Sequence, residues 1–139
     1  MMIMRLTAVL LVAGVAAGGM WACGDESTSP SSIAGTYNLL TIDGLNLPVT
    51  VIQVDVGTVE VMSGFERLNT DGTFSESLTL RTTEDGQVST KVATDGGSWT
   101  QSGPAIAFTY GGSGDTFTGS VSGDRLTITQ EGVVFVFRK

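Results

Sequence analysis

The chain contains no histidine and a single cysteine, Cys23. The first absence removes the commonest general base near neutral pH and the commonest transition-metal ligand. The second rules out a disulfide within the chain and any cluster of thiolate ligands. Basic residues are few: 7 Lys and Arg stand against 14 Asp and Glu, for a formal net charge of −7. Arg67, Arg81, Lys91 and Arg125 are scattered, so no concentrated positive patch exists to neutralise phosphates. Nucleic acid is therefore not expected as a partner, nor is docking onto an anionic lipid surface. No nucleophile motif stands beside a base, so the chain is not expected to be an enzyme, and neither a cofactor nor a metal is expected.

What is present begins with a three-part N-terminal segment. Arg5 supplies a positive start, Leu6 to Ala17 an apolar run, and Ala22-Cys23-Gly24 a small-residue end. These are the parts of a secretory leader. The run from Leu6 to Trp21 is shorter than the ~20 residues of a spanning helix. Met20-Trp21-Ala22-Cys23 resembles the lipobox of bacterial lipoproteins. The resemblance implies a signal peptide over 1–22 and a lipidated Cys23, carrying a diacylglycerol on sulfur and a further chain such as palmitate on the new N-terminus. Several acyl chains together give stable anchoring where one is marginal. Gly24 after the cysteine implies the outer membrane, with the domain facing the periplasm or the cell surface. An uncleaved anchor and simple cleavage without lipid are the competing readings.

Residues 23–32 include Asp-Glu-Ser-Thr-Ser-Pro-Ser-Ser, a flexible polar tether by composition. From residue 33 to 139 short apolar runs alternate with glycine-containing breaks, among them Asp43-Gly44, Asp71-Gly72, Asp85-Gly86 and Ser122-Gly123-Asp124. Such pairs suit the positive φ angles of hairpin turns. Between the breaks the residues alternate: Phe74, Leu78 and Leu80 against Ser75, Ser77 and Thr79, or Ile106, Phe108 and Tyr110 against Ala105, Ala107 and Thr109. A period of two means strands with one buried face. The breaks are short, so successive strands should pair as antiparallel hairpins. The expected fold is all-β: an antiparallel up-and-down meander of 8–10 strands, closed into a barrel so that no edge is left exposed. A two-sheet sandwich is the alternative.

Gly35-Thr36-Tyr37 at the start of the domain and Phe135-Val136-Phe137-Arg138-Lys139 at its end are similar to the lipocalin and calycin pattern, in which an aromatic residue on the first strand packs under a basic residue on the last. Asp43-Gly44 with Leu47-Pro48, Asp71-Gly72-Thr73-Phe74, Gly97-Ser98-Trp99-Thr100 and Ser122-Gly123-Asp124 add blocks that resemble bacterial lipocalin-like lipoproteins. That resemblance implies a barrel closed by Tyr37 and Arg138, with an interior that in some members binds a small apolar molecule.

For this sequence the interior candidates are Phe65, Phe74, Leu80, Trp99, Phe108, Tyr110 and Phe117, with Arg67 or Tyr110 to orient a ligand; Val51 is also placed inside. An eight-stranded barrel is just wide enough for packed side chains or one small ligand. A plain hydrophobic core is therefore the competing reading, and the enclosed volume decides between them. The Val-rich stretch 49–61 reads as a strand apolar on both faces, or as one offered to a partner or a lid. Gly111 to Gly114 reads as a hairpin loop, Glu84-Asp85 as a solvated turn, and Asp71, Thr73 and Asp95 match no calcium loop. The function so expected is that of a monomeric envelope lipoprotein whose barrel holds a small apolar ligand, or else of an interaction module with a filled core.

Overall fold

A computed structural model describes residues 30–139. The leader, Cys23 and most of the tether lie outside the described residues. The last tether residues enter a single helical turn, α1 (Pro30–Ile33). Ten strands follow: β1 (Gly35–Ile42), β2 (Leu45–Asn46), β3 (Val49–Val54), β4 (Gly57–Leu68), β5 (Thr73–Glu84), β6 (Gln87–Ser102), β7 (Ala105–Tyr110), β8 (Thr116–Ser122), β9 (Arg125–Gln130) and β10 (Val133–Arg138).

All neighbouring pairs are antiparallel, and β4 through β10 run as a meander in sequence order. Closure comes from β1. On one edge it pairs with β10, Leu39 opposite Phe137; on the other its first half pairs with β4, Tyr37 opposite Glu66. The result is a closed eight-stranded up-and-down barrel formed by β1 and β4–β10. A sandwich would leave β1 and β4 unpaired, so that alternative falls.

Turn chemistry sets the hairpins. Asp85 and Gly86 both take positive φ, 47° and 77°, as do Asp43 and Gly44 at 49° and 78°. Two successive positive angles define the tight turn whose twist matches paired strands. Bulges at Leu40 in β1 and Met62 in β4 each insert one residue and shift the inward parity. Tyr37 and Leu39 therefore point inward before the bulge, and Ile42 after it.

The first half of β4 cannot pair with β1, because β1 turns away into β2. β3 takes that edge instead, with Val49 opposite Val61 and Val54 opposite Gly57. On the far side, β6 meets β7 only from Gly97 onward, so residues 87–95 pair with β5 alone. β3 and the outer parts of β4, β5 and β6 thus form a flare that continues the wall past the barrel rim. Its Val51, Ile52, Val54, Val56, Val88 and Val92 are all exposed. The Val-rich stretch is therefore not a doubly buried strand. It is two strands joined at Asp55-Val56, with Val49 and Val61 buried at their inner ends and β3 an edge strand whose only neighbour is β4.

Candidate functional site

The barrel interior divides into a packed floor and a polar zone towards the open end. Ile33 of α1 closes the floor, with Tyr37, Leu68 and Leu126 buried beside it in the same core. The Tyr37 hydroxyl donates to the Ile33 carbonyl at 2.6 Å. Trp99 Nε1 donates to the carbonyls of Thr73 (2.9 Å) and Asn69 (3.1 Å), pinning β6 to the β4–β5 turn. Above this floor the rings fill the bore. Phe108 and Phe117 stack at 4.5 Å, Phe74 meets both edge-on at 5.2 and 5.8 Å, and Tyr110 tilts over Phe117 at 4.9 Å. Gly97 leaves room for close approach, since a Cβ there would stand 1.9 Å from the Thr109 carbonyl oxygen. Aromatic pairs of this kind prefer edge-on or offset contacts and add about 0.5–1.5 kcal/mol each beyond area burial.

Of the interior candidates, Phe74, Trp99, Phe108 and Phe117 are buried core, and Leu80 and Tyr110 pack partly buried against it. Phe65 is different. It alternates with the inward Glu66 and sits opposite Asn38 and Ser77, half-buried, and it still borders the small cavity that Glu66 and Glu76 line. Val51 falls at the β3 bulge and is 46% exposed. Arg67 lies outside the bore, its Nε donating to Thr36 Oγ1 at 3.0 Å on the exposed face.

The barrel-closing pair also needs correction. Arg138 sits opposite Asn38 and Arg125, and its Nε lies 2.7 Å from Asp124 Oδ2. The cation over the Tyr37 ring is Lys139 Nζ, at 5.7 Å from the centroid. Strand parity explains the exchange: Phe137 points in and Arg138 out, so the next inward side chain along the strand belongs to Lys139. Its ammonium also donates to the Ser32 carbonyl at 3.3 Å, tying the chain end to α1.

Sequence reasoning passed over a group of polar side chains inside the wall. Glu66 is 1% exposed, and next to it on β5 stands Glu76. Tyr110 donates to Glu76 Oε1 at 2.9 Å and accepts from Gln130 Nε2 at 3.1 Å. Burial first, then the charge and hydrogen bond of Glu76, push the Glu66 carboxyl up to about 9, so it is protonated at neutral pH. Burial also raises Glu76, and Asp95 adds to the rise, while the Tyr110 and Glu66 hydrogen bonds pull it back down. The two carboxyls thus stand side by side, Glu66 carrying a proton and Glu76 accepting from the Tyr110 hydroxyl. Glu66 Oε1 remains without a hydrogen-bond partner. The only sequence signal was that Glu66 and Glu76 occupy inward positions of otherwise apolar alternations; Glu66 was hidden by the bulge at Met62.

This group borders a cavity of about 60 Å³, lined among others by Glu66, Glu76, Leu78, Ile128, Gln130 and Phe135. Gln130 and Tyr110 also border an open depression of about 590 Å³ between β8 and β9, rimmed by Asp115 and Glu131. The two strands pair only as far as Thr118 and Thr129, and part beyond. Among the described residues no group of His, Cys, Asp and Glu could hold a metal ion, and no helix is long and apolar enough to cross a membrane.

The fold and interior define a closed antiparallel β-barrel, compatible with a lipocalin-like fold. Comparison with protein-family models, curated proteins and solved structures finds no match for the chain.

Proposed function

We propose that this protein is a lipid-anchored lipoprotein of the cell envelope whose barrel is a filled scaffold that engages a protein partner through its flared sheet. The observation that carries this reading is the interior volume. A cavity of about 60 Å³ is several-fold below the ~300 Å³ at which sites for drug-sized ligands begin. An apolar ligand of lipocalin type has no room beside the four-ring cluster. The flare, by contrast, offers two free strand edges and exposed Ile and Val side chains. Such edges pair readily with an extended segment of another chain. The absence of a histidine, of a second cysteine and of a nucleophile motif supports a non-enzymatic role. The lipobox-like segment supports attachment at Cys23 and a position at a membrane surface, with the outer membrane as the proposed destination.

The test is photo-cross-linking in cells with the cross-linker at Val88 on the flare, and at Thr127 on the barrel wall as control. A discrete protein adduct from Val88 alone is the expected result. Recovery of a stoichiometric apolar molecule from the purified full-length protein, with no adduct at Val88, would reverse the assignment. Cys23→Ser should remove lipid labelling and release the chain from the membrane fraction; a variant that stays with the membrane would refute the anchor.

A further inference from the structure

We propose that the carboxyl pair Glu66 and Glu76, at the open end of the barrel, binds the ammonium group of a small aliphatic amine. The site is independent of the flare and of any partner there.

Three observations converge on this chemistry. First, Glu66 is 1% exposed and its Oε1 has no hydrogen-bond partner, yet it borders the cavity of about 60 Å³. A buried acceptor left unpaired is costly, so a donor brought to it is favoured. Second, no cation answers the carboxyls. Among the described residues the ion pairs are Arg81 with Glu60 and Arg138 with Asp124, both away from this group. The groups that face Glu66 across the wall are Glu76 from β5, Asp95 beyond it on β6, Tyr110 from β7 and Tyr37 from β1, all acidic or neutral. β9 and β10 bring only Gln130, Ile128, Phe135 and Phe137. Third, the rest of the wall is mostly apolar, Phe65, Leu78, Ile128, Phe135 and Phe137, with Ser77 the one further polar residue beside Gln130. A carboxyl floor under hydrocarbon walls matches a cationic head on a short alkyl chain. A neutral polar molecule would leave the charge of Glu76 unanswered, and a large apolar one would leave Oε1 unpaired.

Size and access agree. A cavity of this volume holds roughly four water-sized groups, allowing about 15 Å³ for each. That suits an ammonium nitrogen with a few methylenes, the rest of the chain emerging between β8 and β9. Gln130 borders both the cavity and the outer depression, and Asp115 and Glu131 on the rim draw cations towards it. Binding is an exchange. The proton on Glu66 leaves to solvent as the ammonium enters, so the pair becomes two carboxylates around one cation and the site's net charge is unchanged. An ammonium donates three hydrogen bonds, enough for Glu66 Oε1 and for Glu76.

The test uses n-butylammonium chloride titrated calorimetrically into the full-length protein at neutral pH, with 1-butanol as the neutral molecule of equal length. Saturable binding of the ammonium is expected, at least tenfold tighter than the alcohol. Repeating the titration in phosphate and in HEPES should show about one proton released per amine bound. Glu66→Gln keeps the side-chain shape and should weaken binding at least tenfold while circular dichroism stays unchanged. If Glu66→Gln does not fold, the ammonium-versus-alcohol ratio and the proton count decide alone. No saturable heat, equal affinity for alcohol and ammonium, or unaltered binding by a folded Glu66→Gln would each overturn the proposal and leave a cavity occupied by water.

Discussion

The two ends of the barrel are woven from the same strands and obey the same in–out alternation, yet they are built on opposite principles. At the floor the buried aromatic residues are tied down, Tyr37 to the Ile33 carbonyl and Trp99 to those of Thr73 and Asn69, while Gln101 Oε1 nearby lacks a partner. At the open end one carboxyl oxygen is left over, apolar residues stand in solvent on the flare, and two strand edges are free. A barrel needs one well-packed end to hold its register. The other end can then carry groups that cost stability, which is where binding sites are found.

The sharpest way to break this contrast is at the ring cluster. Phe108 is fully buried between Phe74 and Phe117, and Phe108→Ala should cost about 3–5 kcal/mol, read as a lowered urea midpoint. A loss under 1 kcal/mol would mean that the packed rings do not carry the fold.

The carboxyl pair makes the next largest difference, through pH. The folded-state pKa of Glu66, about 9, lies above that of an ordinary carboxyl, so the folded chain holds a proton that the unfolded chain releases. The stability from this group is therefore complete below about pH 4.5 and declines as pH rises towards 9, by up to about 1.4 kcal/mol per pH unit. Glu66→Gln should make this decline visibly shallower in denaturation curves at pH 5, 7 and 9; Glu76, also raised, accounts for the slope that remains. An unaltered slope would place the titrating group elsewhere.

The smallest effect belongs to the flare. Val88 is 64% exposed, and Val88→Thr should change stability by no more than about 0.5 kcal/mol. A larger loss would show that the flare is structural, and the contrast between the two ends would collapse.

Much of this architecture was readable from residue order, and the reasons are local. Asp85-Gly86 and Asp43-Gly44 announce their turns because few other pairs tolerate two successive positive φ angles. Phe74, Phe108 and Phe117 announce an inward face because each sits in a strict two-residue alternation. The misplacements share a cause. Val51 is itself the extra residue of a bulge, and Arg138 was given the ring contact that belongs to Lys139. One inserted residue, or one step at a strand end, exchanges the two faces of the wall. Glu66 escaped notice for the same reason, and its importance comes only from Glu76, Asp95 and Tyr110, brought beside it by three other strands.

Residue order alone thus determined that the chain is all-β, where its hairpins turn, that its bore is aromatic, and that imidazole is missing; each follows from composition or from neighbours a few positions apart. Whether the sheet closes on itself, how little space is left inside, and which carboxyl keeps its proton were decided only when β1 met both β4 and β10. Those are properties of pairs far apart along the chain, and neither a one-residue shift in register nor the loss of water around a carboxyl is written in any single strand.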